Sequence, residues 1–399
     1  MASERLYYDD SYTTRFAAQV VGRGVHQGRP AVELERTFFY PESGGQQADR
    51  GTLGAASVLD VQSEDDGRVW HVVSGELASD AMEAEVDWAR RFDAMQQHTG
   101  QHILSAAFER NAGAATVSSH LGEDRSSIEV TLPDVGWKTV GEIEEAANRI
   151  VWEDRPIQRH WVGEDDLARF QLRKPPPAER AGSSGRIRIV VIPDWDTSAC
   201  GGTHTRHTGE VGAIKIVRWE KVRGNVRFEF LCGARALADH AWRTEALVER
   251  ARKHTLKDRE LLDHLERALG ERDELRKRLA DLTERLLETE AKGKVGSPAG
   301  PVSEVAAKRS REDTRKLAIL SLAAGAPWVA VGAEAPDPVL VVGRAKSGSF
   351  DLKTLLPELL ARSRGKGGGS PDLLQVAGES AESIRDAWSW AAEKLGREI

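Results

Sequence analysis

Two short segments, about a hundred residues apart, set out four metal-ligand residues in matching pairs. The first is Gln97-His98-Thr99-Gly100-Gln101-His102, the second Ala199-Cys200-Gly201-Gly202-Thr203-His204. On a helix, positions i and i+4 share a face, so His98 and His102 can reach one ion together. Cys200 and His204 can close the other side of a tetrahedron. Imidazoles and a thiolate suit zinc better than a hard, oxygen-seeking cation, and the expectation is one Zn2+ per chain. Either pair alone is common on ordinary helices and loops. Their joint occurrence is informative because the chain has only 11 His and 2 Cys in 399 residues. The competing explanation is a buried His pair plus an unrelated buried Cys. Paired glycines disfavour a helix at Cys200–His204 and indicate a tight loop, in which the missing Cβ atoms of Gly201 and Gly202 let a ligand approach the backbone.

Composition narrows the setting. The net charge is -7 with 30 % charged residues, which is not the profile of a protein that coats nucleic acid nonspecifically. A globally acidic chain can still bind a nucleic acid if its cations are grouped. No apolar run reaches the length of a membrane span, and the N-terminus lacks a signal-peptide pattern. Cys200 and Cys232, one of them a candidate ligand, argue against a disulfide framework and for a reducing, cytoplasmic location.

The chain reads as α+β, in four segments. Residues 1–90 alternate short β-like runs, such as Ala31–Leu34 and Val69–Val73, with Gly, Asp and Pro, consistent with a small β-barrel. Residues 91–236 form the α+β segment that carries both ligand pairs: a helix over 91–110, a second over Lys138–Asp154, an extended Ile157–Val162, a stiff Lys174-Pro175-Pro176-Pro177 loop and a buried strand, Ile187–Ile192, aimed at Cys200. Asp194 and Asp196 are candidates to support a ligand histidine through its second nitrogen, whereas His120, His160 and His207 read as structural. Residues 237–300 hold a leucine stripe, Leu275, Leu279, Leu282 and Leu286, that reads as a coiled coil and dimer seam, with Gly270 a candidate interruption and Gly293–Pro301 a linker. Residues 301–399 read as an α/β domain. Its Gly365–Pro371 run is not a P-loop, but its backbone N–H groups beside Arg362, Arg364 and Lys366 are a candidate phosphate contact; a plain tight turn is the other reading.

Three ordered motifs resemble the editing domain of alanyl-tRNA synthetases and the free-standing AlaX-type editing proteins. Phe39-Tyr40-Pro41-Glu42-Ser43-Gly44-Gly45-Gln46 resembles that family's FYPESGGQ motif, His98–Leu104 its HTxxHLL motif, and Cys200–Thr205 its CGGTHV motif. Thr208–Gly212 and Arg227–Phe230 extend the likeness, and the Gly365 region is similar to the C-terminal domain of the same synthetases. The resemblance implies a zinc-dependent aminoacyl-tRNA deacylase whose ligands are His98, His102, Cys200 and His204. Its implied substrate is tRNA(Ala) mischarged with serine or glycine. Gly44, Gly45 and Gln46, with Gly201 and Gly202, would approach the terminal adenosine or the ester; Thr99 and Gln101 would read the substrate hydroxyl or hold a water. Gln101 departs from the Thr usual in synthetases. Too little chain precedes the first motif for a synthetase catalytic domain, so aminoacylation is not expected. Two rival readings stay open: a non-catalytic tRNA-binding protein with structural zinc, and a zinc hydrolase of small esters.

Overall fold

A computed structural model describes residues 3–175 and 186–399. Pro176 and Pro177 of the expected proline loop lie outside the described residues. The chain divides into two compact units, Met1–Lys253 and His254–Ile399. The barrel and both ligand pairs thus share one unit, and the division falls inside the segment, residues 237–300, expected to hold the coiled coil.

In the first unit, six strands close a barrel: β1 (Arg15–His26), β2 (Arg29–Leu34), β3 (Gly51–Leu53), β4 (Ala56–Ser63), β5 (Val69–Ser74) and β6 (Ala81–Val86), ordered β1-β2-β5-β4-β3-β6. The two runs singled out in the sequence are neighbours here, with Ala31 opposite Val72. Leu34, Phe39, Leu53, Val61, Val69 and Val86 fill the interior, as the period-2 alternation of half-buried strands requires. One polar ring is buried with them. His71 is bonded through Nε2 to Thr37 Oγ1 at 2.8 Å and through Nδ1 to the Val32 carbonyl at 3.2 Å.

The barrel leads into α1 (Trp88–Ala112). Asp87 caps it by accepting from the Arg90 N–H, and Gly113 ends it at φ 61°, a left-handed position that glycine takes without strain. Every residue from Met95 to Phe108 is buried, polar ones included, because α1 runs through the centre of the unit. Its polar groups are met locally. The Gln97 amide donates to the Cys232 carbonyl and accepts from the Cys232 N–H. Gly100 lies so close to Cys232 that a Cβ there would fall 2.2 Å from Sγ.

After α1 come β7 (Thr116–Leu121), β8 (Ser126–Val130), α2 (Trp137–Trp152), β9 (Gln158–Gly163), β10 (Arg186–Ile192), β11 (Asp196–Ala199), β12 (Ile214–Val222), β13 (Asn225–Cys232) and α3 (Gly233–Lys253). They make one antiparallel sheet in the order β12-β13-β8-β7 and a second in the order β9-β10-β11. The expected strand into Cys200 is β10, but it turns back through β11 before the ligand is reached.

In the second unit the expected break at Gly270 is absent. Helix α4 (Leu261–Val295) passes straight through it, since one exposed glycine costs a long helix only about 1 kcal/mol. The chain breaks instead after Lys253, where Thr255 adopts φ 57°. Gly293 is also helical, so the linker starts at Gly296 rather than Gly293. Leu275, Leu279, Leu282 and Leu286 are 62–67 % exposed, while Leu287, Ala291 and Val295 face the core. That core belongs to a five-stranded sheet of β14 (Val302–Ala306), β15 (Trp328–Ala333), β16 (Val339–Arg344), β17 (Gly367–Ser370) and β18 (Leu373–Ala377), ordered β14-β15-β16-β18-β17. Helix α5 (Arg311–Ala323) joins α4 in packing against Val329, Val331 and Val341, while α6 (Leu356–Ser363) and α7 (Ala381–Glu398) pack with Ala330, Leu340 and Val342. The glycine-rich run is neither loop nor tight turn but the edge strand β17. A Cβ at Gly367 or Gly369 would lie 2.4 or 2.1 Å from a β18 carbonyl oxygen, so the glycines permit close strand pairing.

Burial holds the His71 imidazole down to a pKa of about 4. Above the ordinary histidine value of about 6.5, folded and unfolded chains both carry a neutral ring. Below it the unfolded chain takes up a proton that the folded chain refuses, so stability falls as pH drops toward 4. Between pH 7 and pH 5 the wild type is expected to lose about 2 kcal/mol more than His71→Gln, as read from urea unfolding at the two pH values.

Candidate metal centre

The four expected donors converge. His98 and His102 project from α1, and Cys200 and His204 from the loop after β11. One donor atom from each can be chosen so that all lie within 4.8 Å of one another, and all four side chains are buried. Cys200 Sγ is 3.4 Å from His98 Nε2 and 3.2 Å from His204 Nε2. A tetrahedron with metal–ligand bonds of about 2.0–2.3 Å has edges of roughly 3.3–3.7 Å, so these separations suit a shared cation.

What points the donors inward is the other side of each ring. His98 Nδ1 meets Gln46 Oε1 at 2.8 Å, His102 Nδ1 meets Asp196 Oδ2 at 2.8 Å, and His204 Nδ1 meets Thr99 Oγ1 at 3.2 Å. With Nδ1 engaged in every case, Nε2 is the nitrogen left for a metal, the usual arrangement around ligating histidines. The supports are themselves supported. Gln46 donates to Thr203 Oγ1 and accepts from the Thr203 N–H. Asp196 accepts from Arg173 Nε at 2.6 Å and from the Ser198 hydroxyl. Gly202 is needed for clearance: a Cβ there would sit 2.1 Å from His98 Cε1 and 2.9 Å from Gln46 Oε1.

Charge fits the same reading. Burial works against a Cys200 thiolate, but the imidazoles of His98 and His204, with His102, outweigh it and hold the thiol well below its ordinary pKa. Burial also opposes charge on His102; its bonds to Asp196 and Cys200 prevail and raise it to about 9. On His204 burial dominates and lowers the pKa. A thiolate ringed by three oriented imidazoles is a donor set for a soft or borderline divalent ion.

The cluster borders a cavity of about 1090 Å³. Of the residues expected to meet substrate, Gly44, Gln101, Gly201 and Gly202 line it, beside His98, His102 and Cys200. The Gln101 amide donates to Ser105 Oγ at 2.7 Å. Thr99, Gln46 and Gly45 do not line it. Thr99 is fully buried behind His204, Gln46 is buried behind His98, and Gly45, at φ 85°, packs on the Ser119 carbonyl. Asp194 occupies a turn at φ 57°, and Asp196 alone of the two aspartates reaches a ligand. Arg364 and Lys366 lie in the other unit. Arg364, 3.8 Å from Glu379, caps α6 in a left-handed conformation. Sequence reasoning missed Tyr8, Trp161, Arg173 and Arg188, which all line the cavity. No spacing rule marks them, since they come from scattered segments.

A family model described as "Threonyl and Alanyl tRNA synthetase second additional domain" matches residues 187–228, the stretch that contains Cys200 and His204. Fold and match together define a protein with a synthetase-type additional domain. The alanyl-tRNA editing protein AlaX-L of Pyrococcus horikoshii is 30 % identical over 98 % of this chain and 98 % of its own length. The chain belongs to the AlaX-L family of alanyl-tRNA editing proteins. Alanine–tRNA ligases are similar too: that of Methanopyrus kandleri is 31 % identical over 96 % of this chain, and that of Halobacterium salinarum 33 % over 99 %. The chain spans 44 % of the length of each of these synthetases.

Gly202→Ala is expected to push His98 off its support and lower metal affinity on the order of tenfold or more. Gly201→Ala, whose Cβ finds nothing nearer than 3.7 Å, is expected to leave affinity unchanged. Competition with a chromophoric chelator measures both.

Proposed function

We propose that this chain edits tRNA(Ala), hydrolysing the ester of Ser-tRNA(Ala) and of Gly-tRNA(Ala) at a single zinc ion. The observation that carries the reading is the buried His98–His102–Cys200–His204 cluster on the wall of a large cavity, in a chain that belongs to the AlaX-L family. The four residues would hold the ion, which when bound supplies either Lewis-acid polarisation of a carbonyl or a water of lowered pKa.

The rest is the work of the chain itself. Gly44, Gly201 and Gly202 put backbone rather than side chains beside the donors, leaving room for an ester. The Gln101 side chain, steadied by Ser105, is the candidate to hold the attacking water or the serine hydroxyl. Thr99 acts one step back, by orienting His204. A second site is needed because serine exceeds alanine by one hydroxyl, and an alanine pocket rejects so small an addition weakly. A site that hydrogen-bonds that hydroxyl discriminates in the opposite sense. In the second unit, Arg364 and Lys366, just before the edge strand β17, are the proposed contacts to the tRNA backbone. The exposed leucines of α4 are the proposed seam of a homodimer.

Purified protein mixed with Ser-tRNA(Ala) is expected to release serine. His98→Ala and Cys200→Ala are expected to lower that rate by two orders of magnitude or more, consistent with removal of an electrostatic catalyst, while circular dichroism shows them folded. Tight tRNA binding without release would favour a binding protein with structural metal. Turnover of simple esters with no tRNA interaction would favour a small-ester hydrolase. For the seam, Leu279→Lys is expected to convert a dimer to a monomer in sedimentation.

A further inference from the structure

We infer that an aromatic corner on the cavity wall, made by Tyr8 and Trp161 with the cations Arg186 and Lys174, is a subsite for the 3'-terminal nucleotide of an RNA. The terminal base stacks on Trp161, and its phosphate meets Arg186 and Lys174. This rests on the tRNA-editing reading and goes further by naming the parts of the chain that hold the nucleotide.

Geometry supports it first. The Tyr8 and Trp161 rings stand 5.5 Å apart at 83°, so they form a right-angled corner, and Trp161 is half-buried on the cavity wall. The corner is fixed. Trp161 Nε1 donates to Asp9 Oδ1 at 3.0 Å, and Arg186 donates to the Trp161 carbonyl at 3.0 Å. It also adjoins the metal loop. A Cβ on Gly201 would lie 3.7 Å from the Tyr8 ring and hydroxyl. The buried Arg188 guanidinium bonds the Tyr8 carbonyl at 3.2 Å, the Cys200 carbonyl at 2.8 Å and the Gly202 carbonyl at 2.9 Å. One side chain therefore ties the aromatic corner to the ligand loop. In the proposed pose the acyl group lies toward the donors and the base on Trp161, with the ribose between them.

Charge supports it next. Arg5, Lys174 and Arg186 line the cavity, and among the described residues none is in an ion pair. Arg173 is already engaged by Asp196. The cavity also has acids, Glu4, Glu64, Asp65 and Asp66; two of them are taken up by Arg68, which pairs with Glu64 at 2.7 Å and with Asp66 at 2.6 Å. Cations with no carboxylate partner among the described residues, set beside an aromatic face, are what a nucleotide calls for: stacking for the base, positive charge for the backbone. A small free ester needs neither. The volume, about 1090 Å³, lies at the upper end of the usual range for ligand sites, roughly 300–1,000 Å³.

The test uses the full chain and the 5'-phosphorylated trinucleotide CCA with no amino acid attached, titrated by calorimetry. Wild type is expected to bind it. Trp161→Ala should weaken binding about tenfold, within the range for loss of one base–aromatic stack, and Trp161→Phe should restore most of it. Arg186→Gln should weaken binding and flatten its salt dependence by about 0.7 in log–log slope, one single-stranded phosphate contact. Trp242→Ala, altering an exposed tryptophan of α3, should change nothing. With Ser-tRNA(Ala), Trp161→Ala should raise KM and spare kcat. CCA binding unchanged in Trp161→Ala, or absent in wild type, overturns the subsite, and deacylation by wild type would still uphold the editing reading. CCA binding lost in Trp161→Ala and kept in Trp161→Phe upholds the subsite even if no serine is released, and the missing hydrolysis then counts against the catalytic reading alone.

Discussion

Three imidazole Nδ1 atoms are tied down, and that decides where three Nε2 atoms point. The supports come from three separate places. Gln46 belongs to the loop between β2 and β3, Thr99 to α1, and Asp196 to β11. Each is buried, so its bond is worth more than a surface one and its loss leaves a polar group stranded. The donor cluster is thus less a property of two motifs than of the fold that brings four segments together around them.

That fold depends on α1 being held on every side. Its middle carries Gln96, Gln97, Thr99, Gln101 and Ser105 into the interior, a composition that would not bury without partners. Partners are supplied at the N-terminal end of the buried stretch and in the turn before it. Gln97 clasps the end of β13 through both atoms of its amide. Arg91, fully buried, joins Asp49 and reaches the Ser11 and Phe38 carbonyls. Asp49 also accepts from the Tyr40 N–H at 2.6 Å, so the pair fastens the first glycine-rich motif onto the helix. Removing one member of such a pair typically costs about 3–5 kcal/mol.

Much of this was legible in the sequence. The donors were readable because ligand chemistry restricts residue type and the helix fixes their spacing. Strands of the barrel and of the C-terminal sheet were readable because alternation and continuous apolar runs report half-buried and fully buried strands, whereas closure into a barrel rested on the family resemblance. Gly270 and Gly293 misled because glycine's helical penalty is small enough for a 35-residue helix to absorb. The Gly367–Ser370 run misled because close strand pairing selects the same residue as a turn does. Thr99 and Gln46 were recognised as neighbours of the site but assigned to substrate. Sequence proximity to a ligand does not say on which side of the imidazole a neighbour falls. Tyr8, Trp161, Arg173 and Arg188 left no local trace, since only tertiary folding gathers them.

The origin of Gln46 carries a consequence for dissecting the molecule. A fragment starting at Trp88 would retain both histidines of α1 and the whole Cys200–His204 loop, so a motif search would score it as intact. It would nonetheless lack the amide that stops the His98 ring from turning over, along with the carboxylate that anchors Arg91. The barrel is therefore not a detachable accessory to the metal half but one of its walls, and the smallest piece able to assemble the centre begins before it.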